Sequence, residues 1–314
     1  MDLDKRVFHS GELAMQKKAG VGERTLKFAK RAILDHMSSQ LQDFFPQLNT
    51  LFVASIDAEN KPWASILVGQ QGFIETVDAT HLLISSDSII GSDRLNKNLI
   101  LGDSLGFLGL EFHTRRRNRL TGNLTSIREG KMMIEVTKAF GNCPKYIQTR
   151  RLTIPPMPSS VKRIKNVRVV KRIDKEIEKL INISDTFFIA SCAAENGVLS
   201  VDISHRGGKP GFVKIESDNV ISFEDYPGNN FYMTLGNLHL NPNCGLLFVN
   251  FDSGDVLQLS CKSEIVETLN SEDRRKVEIF VESGLFHKSA LNVTWKFCEY
   301  SPYLESYSVQ SCKD

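Results

Sequence analysis

An internal repeat constrains this chain more than any other feature of its sequence. Four short segments of the first half recur in the second half, in the same order and at an offset of about 136 to 139 residues. The matches are residues 52–55 with 188–191, 58–60 with 194–196, 72–74 with 211–213, and 106–112 with 245–251. One match would mean little because β-hairpins resemble one another, but four in register indicate a duplicated unit. We therefore expect two related units that form an internal pseudo-dimer.

The repeated segments have the pattern of β-strands. Short apolar runs at residues 51–56 and 63–68 flank a turn at residues 57–60. Further strands are predicted at residues 81–85, 105–112, 119–128 and 132–140. Short strands with turn residues between them favour a barrel or a sandwich.

Helices are predicted outside these strands. Apolar residues three or four apart predict one amphipathic helix over residues 24–45, ended by Pro46, and a shorter helix over residues 12–19. Another is predicted over residues 174–183, with Asp174 as its N-cap. Three prolines, Pro155, Pro156 and Pro158, indicate a linker between the two units. The predicted division is residues 1–152 for the first unit with its helices, 153–173 for the linker and 174–314 for the second unit.

Composition excludes several classes of protein. With 314 residues, 41% hydrophobic and 24% charged, the chain has the composition of a soluble globular protein. The net charge of +2 gives no general argument for nucleic acid binding. No apolar leader or membrane-length run is seen. The six cysteines lack Cys-x-x-Cys or zinc spacing, so we expect free thiols in a reducing cytoplasm, with no metal site.

The segment 204–208, called here the glycine-rich segment, is the strongest candidate for a binding site. Its glycines, Gly207 and Gly208, allow a ligand to approach the backbone closely. Donors surround them at Ser204, His205, Arg206 and Lys209. Such donors suit a phosphate group. The alternative is a hairpin loop whose charges are solvated.

A second candidate segment follows at residues 225–238. It interleaves Asn229, Asn230 and Asn237 with aromatic residues. Buried amides need hydrogen-bond partners, and these side chains could line a heterocycle. A turn at residues 227–229 followed by a helix is compatible with this interpretation.

A third candidate is the run Cys143, Pro144 and Lys145. Proline in this position predicts a helix start, and a helix N-terminus with a lysine in its first turn favours an anion. The alternative is a small buried thiol in a capped helix.

Four arginines lie between residues 113 and 119, in a predicted hairpin loop. They could hold a phosphate, or they could form a solvated turn, as charge runs usually do.

Together these motifs resemble the pyridoxamine 5′-phosphate oxidase-like flavoproteins, and among them a subgroup with two fused units. The resemblance rests on residues 8–12, 62–65, 113–119, 140–148, 204–212 and 236–238. It implies a mainly β fold with flanking helices, in which two tandem split β-barrels form an intrachain pseudo-dimer. It also implies that FMN lies on the glycine-rich segment, and that the helix beginning at Cys143 can reach the flavin of the other unit.

The residues predicted to bind FMN are Ser204, His205, Arg206, Gly207, Gly208, Lys209, Phe212, Asn229, Asn230, Asn237, Cys143 and Lys145. No catalytic residue can be assigned, although His205 is a weak candidate. Residues 68–71 are aligned with the glycine-rich segment in the first repeat and contain no arginine. The second repeat has no match to residues 143–145. Each repeat thus keeps a different half of the site, and one FMN per chain is predicted.

The expected function is an FMN-dependent oxidoreductase that passes electrons or hydride between NAD(P)H, or another donor, and a small molecule. The alternatives are a non-catalytic flavin carrier and a haem-binding split barrel. Some relatives carry a reductase module, but none follows Asp314, so a separate reductase or NAD(P)H donor is expected. The residues that bind pyridoxal phosphate in the true oxidases are not recognisable. Membrane or nucleic acid partners are not expected, and the chain could be a monomer or a homodimer.

Overall fold

The computed structural model describes residues 7–153, 166–267 and 275–304. The helices are α1 (Ser10–Lys18), α2 (Gly22–Ala32), α3 (Ser39–Phe44), α4 (Leu95–Asn98), α5 (Lys175–Ile183) and α6 (Met233–Leu240). Single 3-10 turns lie at Phe45–Gln47, Ser86–Ser88 and Pro302–Leu304.

Seventeen strands occupy most of the remaining described residues. Those of the first half are β1 (Thr50–Ile56), β2 (Pro62–Val68), β3 (Ile74–Thr76), β4 (His81–Ser85), β5 (Ser104–Glu111), β6 (Arg116–Arg128), β7 (Lys131–Asn142) and β8 (Thr149–Thr153). Those of the second half are β9 (Val167–Val170), β10 (Thr186–Glu195), β11 (Val198–Gly207), β12 (Lys214–Ile215), β13 (Val220–Asp225), β14 (Asn243–Val249), β15 (Val256–Glu267), β16 (Arg275–His287) and β17 (Thr294–Glu299).

The two halves have the same strand order. The first sheet runs β2-β1-β5-β6-β7-β4-β3, and the second runs β11-β10-β14-β15-β16-β13-β12. Each strand of the second sheet thus stands nine strands after its counterpart in the first. The expected fold class is confirmed: the protein is mainly β, with two tandem split β-barrels and flanking helices.

The barrels pack against each other about a pseudo-two-fold axis. The rings of Phe52 and Phe188, which are equivalent residues of β1 and β10, stack with centroids 3.6 Å apart. Each barrel has its own apolar core, and a third cluster of buried residues from both barrels fills the interface. Strands β8 and β17, which follow the two barrels, also pair with each other.

Equivalent glycines allow this close approach. A methyl group added to Gly106 would lie 3.0 Å from the carbonyl oxygen of Val201, and one added to Gly245 would lie 2.5 Å from that of Pro62. Both contacts are with the backbone of the other barrel, which cannot move aside as a side chain can. The reciprocal contacts explain why glycine is needed in both copies.

Replacing Gly245 with alanine is expected to lower the free energy of unfolding by about 3 kcal/mol, because the added methyl must separate the barrels. Urea denaturation measures this change. Gly91→Ala is the matched control, since its added methyl meets no atom within 4 Å. Equal stability of the two variants would contradict the tight barrel contact.

The helix predicted over residues 24–45 is wrong in its middle. Helices α2 and α3 are separated by residues 33–38, where Leu34 makes an antiparallel bridge with Ala139 of β7. The backbone N–H of Leu34 donates to the carbonyl of Ala139, and that of Ala139 donates back. Pairing with a distant strand therefore overrides the helical periodicity. In contrast, the helix predicted at Asp174 is confirmed, and Asp174 accepts hydrogen bonds from the first turn of α5.

The helix predicted to begin at Cys143 is also wrong. Residues 143–148 form an irregular turn between β7 and β8, with Tyr146 at a φ of 65°. Pairing of β8 with β17 sets the direction of the chain there. The boundaries of the two units remain a prediction. Residues 154–165 of the predicted linker lie outside the described residues. Residues 167–170, which were also assigned to the linker, form β9 and pair with β16 of the second sheet.

Candidate functional site

Three arginine side chains from both barrels converge on one cavity. Arg117 and Arg119 lie on β6 of barrel 1, and Arg206 lies on β11 of barrel 2. Arg117 and Arg119 are two residues apart, so the alternation of a strand points both side chains to the same face. Each of the two is only 8% exposed. Burial lowers the pKa of Arg117 to about 10, and the neighbouring charges of Arg119 and Arg206 add to this effect.

Arg119 connects the two barrels. Its Nη1 donates to Asp202 Oδ1 at 2.8 Å, and its Nη2 donates to the hydroxyl of Ser204. Ser204 is also 2.6 Å from the hydroxyl of Thr234, in the first turn of α6. Burial lowers the pKa of Arg119, and the attraction of Asp202 opposes that shift. This network places a cation beside a helix N-terminus, where the first amides have no acceptor within the helix.

His205 is a neutral imidazole in this setting. Burial holds its pKa well below the usual value, and the surrounding arginines, Arg117 first among them, lower it further. Its Nδ1 lies 3.4 Å from Arg117 Nη1. Because a guanidinium only donates, Nδ1 must accept, and the ring proton is assigned to Nε2. His205 is therefore suited to donate a hydrogen bond from Nε2, and it cannot act as a base at Nε2 while this nitrogen holds the proton.

Two adjoining cavities lie between the barrels. The larger has a volume of 270 Å³ and includes Arg119, Arg206 and the first turn of α6 in its lining. The smaller has 70 Å³ and is lined by both barrels, with Arg117 and Cys143 from one and His205 from the other. We call the two together the inter-barrel cavity.

Unpartnered polar atoms concentrate at this cavity. Among the described residues, ten buried side-chain nitrogen or oxygen atoms lack a hydrogen-bond partner. Five of them belong to cavity-lining side chains: Nε of Arg117, Arg119 and Arg206, Nε2 of His205, and Oδ1 of Asp225. Arg206 Nη2 lies 3.2 Å from Asp225 Oδ1, but without hydrogen-bond geometry. Such a cluster is typical of a site built to satisfy a polar ligand.

Most residues of the predicted site lie together. Those that line the inter-barrel cavity are Ser204, His205, Arg206, Gly207, Phe212, Asn229, Asn230 and Cys143. A side chain on Gly207 would meet the carbonyl oxygen of Tyr146, so the turn after β7 packs directly on the glycine-rich segment. The structure thus joins the two segments that the sequence placed in separate repeats.

Four predicted residues do not line the cavity. Lys209 is exposed, and Gly208 packs against the ring of Phe212. Lys145 extends elsewhere, with its ammonium 5.4 Å from the ring centroid of Tyr303. Asn237 is buried, and protein groups occupy its amide: it accepts from His9 Nε2 at 2.8 Å and donates to Ser191 Oγ at 3.0 Å.

The segment around His9 has a structural role beside the cavity. Glu12 accepts from the backbone N–H of His9 at 2.8 Å and packs against Gly236 of α6. Glu12 is 2% exposed, and burial raises its pKa to about 8. These contacts hold α1 on α6, the helix that supplies the polar end of the cavity.

Several cavity residues were not among the individual residues predicted to bind FMN, although three of them belong to the candidate segment 225–238 and two to the stretch 140–148. They are Asn142, Tyr146, Asp225, Tyr226, Thr234 and Arg275. Two interpretations were open for the four arginines between residues 113 and 119, a phosphate site and a solvated turn. In the structure these arginines take two different positions. Arg115 lies in the turn and Arg116 is the first residue of β6, whereas Arg117 and Arg119 enter the interface. Their spacing by two residues along a strand was the available signal.

The pseudo-symmetry defines a second, equivalent position. Phe52 pairs with Ile66 in β2, and its equivalent Phe188 pairs with His205 in β11. Ile66 therefore corresponds to His205, and the counterpart of the glycine-rich segment is residues 65–69.

This correspondence corrects the predicted alignment with residues 68–71. The hairpin between β10 and β11 is three residues longer than that between β1 and β2, so the offset grows after it. The absence of an arginine nevertheless holds, because Leu67 occupies the position of Arg206. The other two arginines are also replaced: β15 has Val256 for Arg117 and Gln258 for Arg119.

The second position is filled by its own side chains. Gln258 Nε2 lies within 3.1 Å of three acceptors, the Ala64 carbonyl, Ser65 Oγ and Asp93 Oδ2. Its Oε1 accepts from His287 Nε2 at 3.0 Å. Ser65 also donates to Asp93 at 2.6 Å. We call this set the closed network. The second position therefore lacks the positive charge that lines the inter-barrel cavity.

The closed network contains two groups with opposite titration behaviour. Burial raises the pKa of Asp93 to about 6 and lowers that of His287 to about 4. The folded state therefore binds a proton more readily at Asp93 and less readily at His287 than the unfolded state does. Asp93 makes stability fall as the pH rises from about 4 to 6, and His287 makes it rise from about pH 4 to 6.5.

Each of these shifts corresponds to about 3 kcal/mol. With Asp93→Asn, the free energy of unfolding should thus rise more steeply between about pH 4 and pH 6.5. With His287→Gln, it should fall as the pH rises over the same range. Urea denaturation at several pH values between 4 and 7 measures both slopes. If the two variants keep the wild-type slope, the titration assigned to the network is wrong.

The fold and this cavity define a tandem split β-barrel protein with a cation-lined site between its barrels. No family model and no curated protein matches the sequence. Similar solved structures include a FAD-binding protein from Mesorhizobium loti, at 14% identity, over 39% of this chain and 99% of that chain, with a TM-score of 0.26. HutZ, the heme storage protein from Vibrio cholerae, is 15% identical over 37% and 95%, with a TM-score of 0.28. A protein related to general stress protein 26, of the pyridoxinephosphate oxidase family, from Clostridium acetobutylicum is 13% identical over 39% and 92%, with a TM-score of 0.29.

Each of these structures thus matches about two fifths of this chain. At these identities the likeness concerns the fold alone. In the part of the chain that the structure describes, no helix is both long and apolar enough to cross a membrane, and no group of three potential metal ligands is found.

Proposed function

We propose that this chain binds one FMN in the inter-barrel cavity and acts as a flavin-dependent oxidoreductase. One observation carries the proposal: three arginines and five unpartnered polar atoms meet in a cavity that crosses the barrel interface. Four guanidiniums, including Arg275, line the cavity, against three carboxylates: Glu224 and Asp225 in the lining, and Asp202 beside Arg119. An anionic ligand would balance the excess positive charge.

The phosphate end of FMN is assigned to the first turn of α6. Ser204, Thr234 and Arg119 lie there, and the helix N-terminus favours an anion. Hydrogen bonds hold these residues in place, and Arg119 Nε has no partner among the described residues. Arg206 and Arg275 line the same part of the cavity.

The ring end is assigned to the smaller cavity. Gly207 lines it where the turn after β7 packs on the glycine-rich segment, Phe212 offers an aromatic face, and His205 offers its Nε2 proton. When bound, the flavin supplies the acceptance and donation of hydride or electrons. The chain's own residues would hold the ring, with Arg117 as a nearby cation that favours negative charge on it.

A non-catalytic flavin carrier and a haem-binding protein are the alternatives. His205 is the imidazole that lines the inter-barrel cavity, and haem iron commonly takes a histidine ligand. However, its Nε2 carries the proton and several arginines surround it, which disfavours binding to a cationic iron. The geometry therefore favours flavin over haem.

The visible spectrum of the purified protein tests the proposal. Flavin absorbance, and its bleaching by NAD(P)H alone or with a reductase, is the result expected for the oxidoreductase. Flavin that stays oxidised with every donor tried would favour the carrier. A Soret band in place of flavin absorbance would contradict the proposal.

A further inference from the structure

A second opening adjoins the inter-barrel cavity. It lies between α1 and α2 and has a volume of 1150 Å³. Val21, Asn229 and Asn230 line both this opening and the larger part of the inter-barrel cavity. We call it the α1–α2 groove. A ligand that fills the cavity can therefore extend into the groove without crossing the protein core.

Positive charge dominates the groove. Lys17, Arg24 and Lys27 line it, against the single acidic residue Glu23. Arg24 and Lys27 are one turn apart on α2, so they project from the same face. Within the described ranges, none of the three cations forms an ion pair. Among the described residues the groove thus carries more positive than negative charge, which favours a phosphorylated ligand.

An aromatic surface lies beside this charge. Phe28 lines the groove and is 61% exposed, with its ring centroid 5.9 Å from that of buried Phe231. It lies on α2 four residues after Arg24, on the same face. Exposed aromatic rings held in this way stack well on planar bases. Asn230 adds an amide at the point where the groove meets the cavity.

We propose that the α1–α2 groove binds the adenylate half of a dinucleotide whose redox half, with its own phosphate, lies in the inter-barrel cavity. The cations meet the adenylate phosphate, and Phe28 meets the adenine. The position of the redox half rests on the proposed function, whereas recognition of the adenylate does not. Two sources share this chemistry: the adenylate of a flavin dinucleotide, or that of a separate nicotinamide donor.

Calorimetric titration with ADP tests the groove directly. ADP is titrated into FMN-loaded protein and into flavin-free protein, and the affinities for FMN and FAD are compared. The double variant Arg24→Gln/Lys27→Gln should weaken adenylate binding at least about tenfold, and Phe28→Ala should weaken it further. Arg31→Gln, on the same helix but outside the groove, is the matched control. Adenosine without phosphate should bind at least about tenfold more weakly than ADP.

The outcomes separate the two sources. ADP binding to FMN-loaded protein, lost in the double variant, assigns the group to a separate donor. The adenylate belongs to the flavin if three results are obtained together. The protein prefers FAD over FMN tenfold, it loses this preference in the double variant, and it does not bind ADP when loaded with FMN. If the protein binds no flavin, ADP titration into the protein as purified still decides the groove. The proposal is overturned if ADP does not bind and FAD is not preferred, or if adenylate binding does not respond to the groove variants.

Discussion

Replacing Arg119 with methionine is expected to weaken FMN binding at least ~30-fold. Arg119 is buried and reaches Asp202 and Ser204 of the other barrel at the proposed phosphate end. Loss of a charge-assisted contact in a desolvated site costs about 2 to 5 kcal/mol of binding free energy. The same change leaves the Asp202 carboxylate buried without its cation, which should lower stability by about 3 to 5 kcal/mol. Fluorescence titration of FMN and urea denaturation measure the two effects separately.

Two further variants distinguish binding from folding. The double variant Arg119→Met/Asp202→Asn should regain most of the lost stability, because no unpaired charge remains, but it should not regain FMN affinity. Gln258→Met changes the equivalent position of the second barrel and breaks the closed network. It should lower stability while leaving FMN affinity unchanged. A folded Arg119 variant that binds FMN within about threefold of the wild type would refute the assigned phosphate end.

The second large effect is expected at Glu12, whose pKa burial raises to about 8. The folded state holds the proton of Glu12 more tightly than the unfolded state, so its contribution makes stability fall as the pH rises from about 4.5 to 8. The shift corresponds to about 5 kcal/mol across that range. Glu12→Gln keeps the acceptor for the His9 N–H and removes the titration, so the variant should be the more stable protein above pH 8.

Denaturation midpoints at pH 5 and pH 9 measure this effect. The wild type should lose stability between the two values, and Glu12→Gln should lose much less. Glu23→Gln on α2 is the matched control, because that carboxylate is exposed. The account of the α1 anchor would be wrong if both variants showed the wild-type dependence on pH.

The strands were largely predictable from the sequence because each barrel repeats a local pattern. The prediction of residues 81–85 matches β4, and those for β1, β2, β5 and β7 agree to within a few residues. The failures occur where distant parts of the chain compete with the local pattern. Leu34 leaves the helical pattern to pair with Ala139, and the turn after Cys143 follows the pairing of β8 with β17. Periodicity contains no information about either partner.

The candidate site was predictable only in halves. Glycines and donors around residue 206 were visible as an unusual segment, and the repeat showed that barrel 1 lacks its arginine. That Arg117 and Arg119 complete the site from barrel 1 depends on how the barrels pack. The same packing explains why Asn237 was misplaced: its amide faces His9 of the N-terminal segment, which lies 228 residues away in the chain.

The asymmetry between the two equivalent positions is the basis of the central claim. Arg117, Arg119 and Arg206 line one position, and Val256, Gln258 and Leu67 stand in the other. In the second position Gln258 is already bonded to Asp93 and His287. A ligand there would have to break these buried hydrogen bonds. Val256, Gln258 and Leu67 carry no charge, so they could not bind a phosphate in exchange.

Flavin stoichiometry tests this claim most directly. Flavin-free protein is saturated with FMN, separated from the excess and measured by native mass spectrometry together with absorbance of the released flavin. One FMN per chain, lost in Arg119→Met and kept in Gln258→Met, is the predicted result. Two FMN per chain, or one FMN that survives in Arg119→Met and is lost in Gln258→Met, would contradict the account.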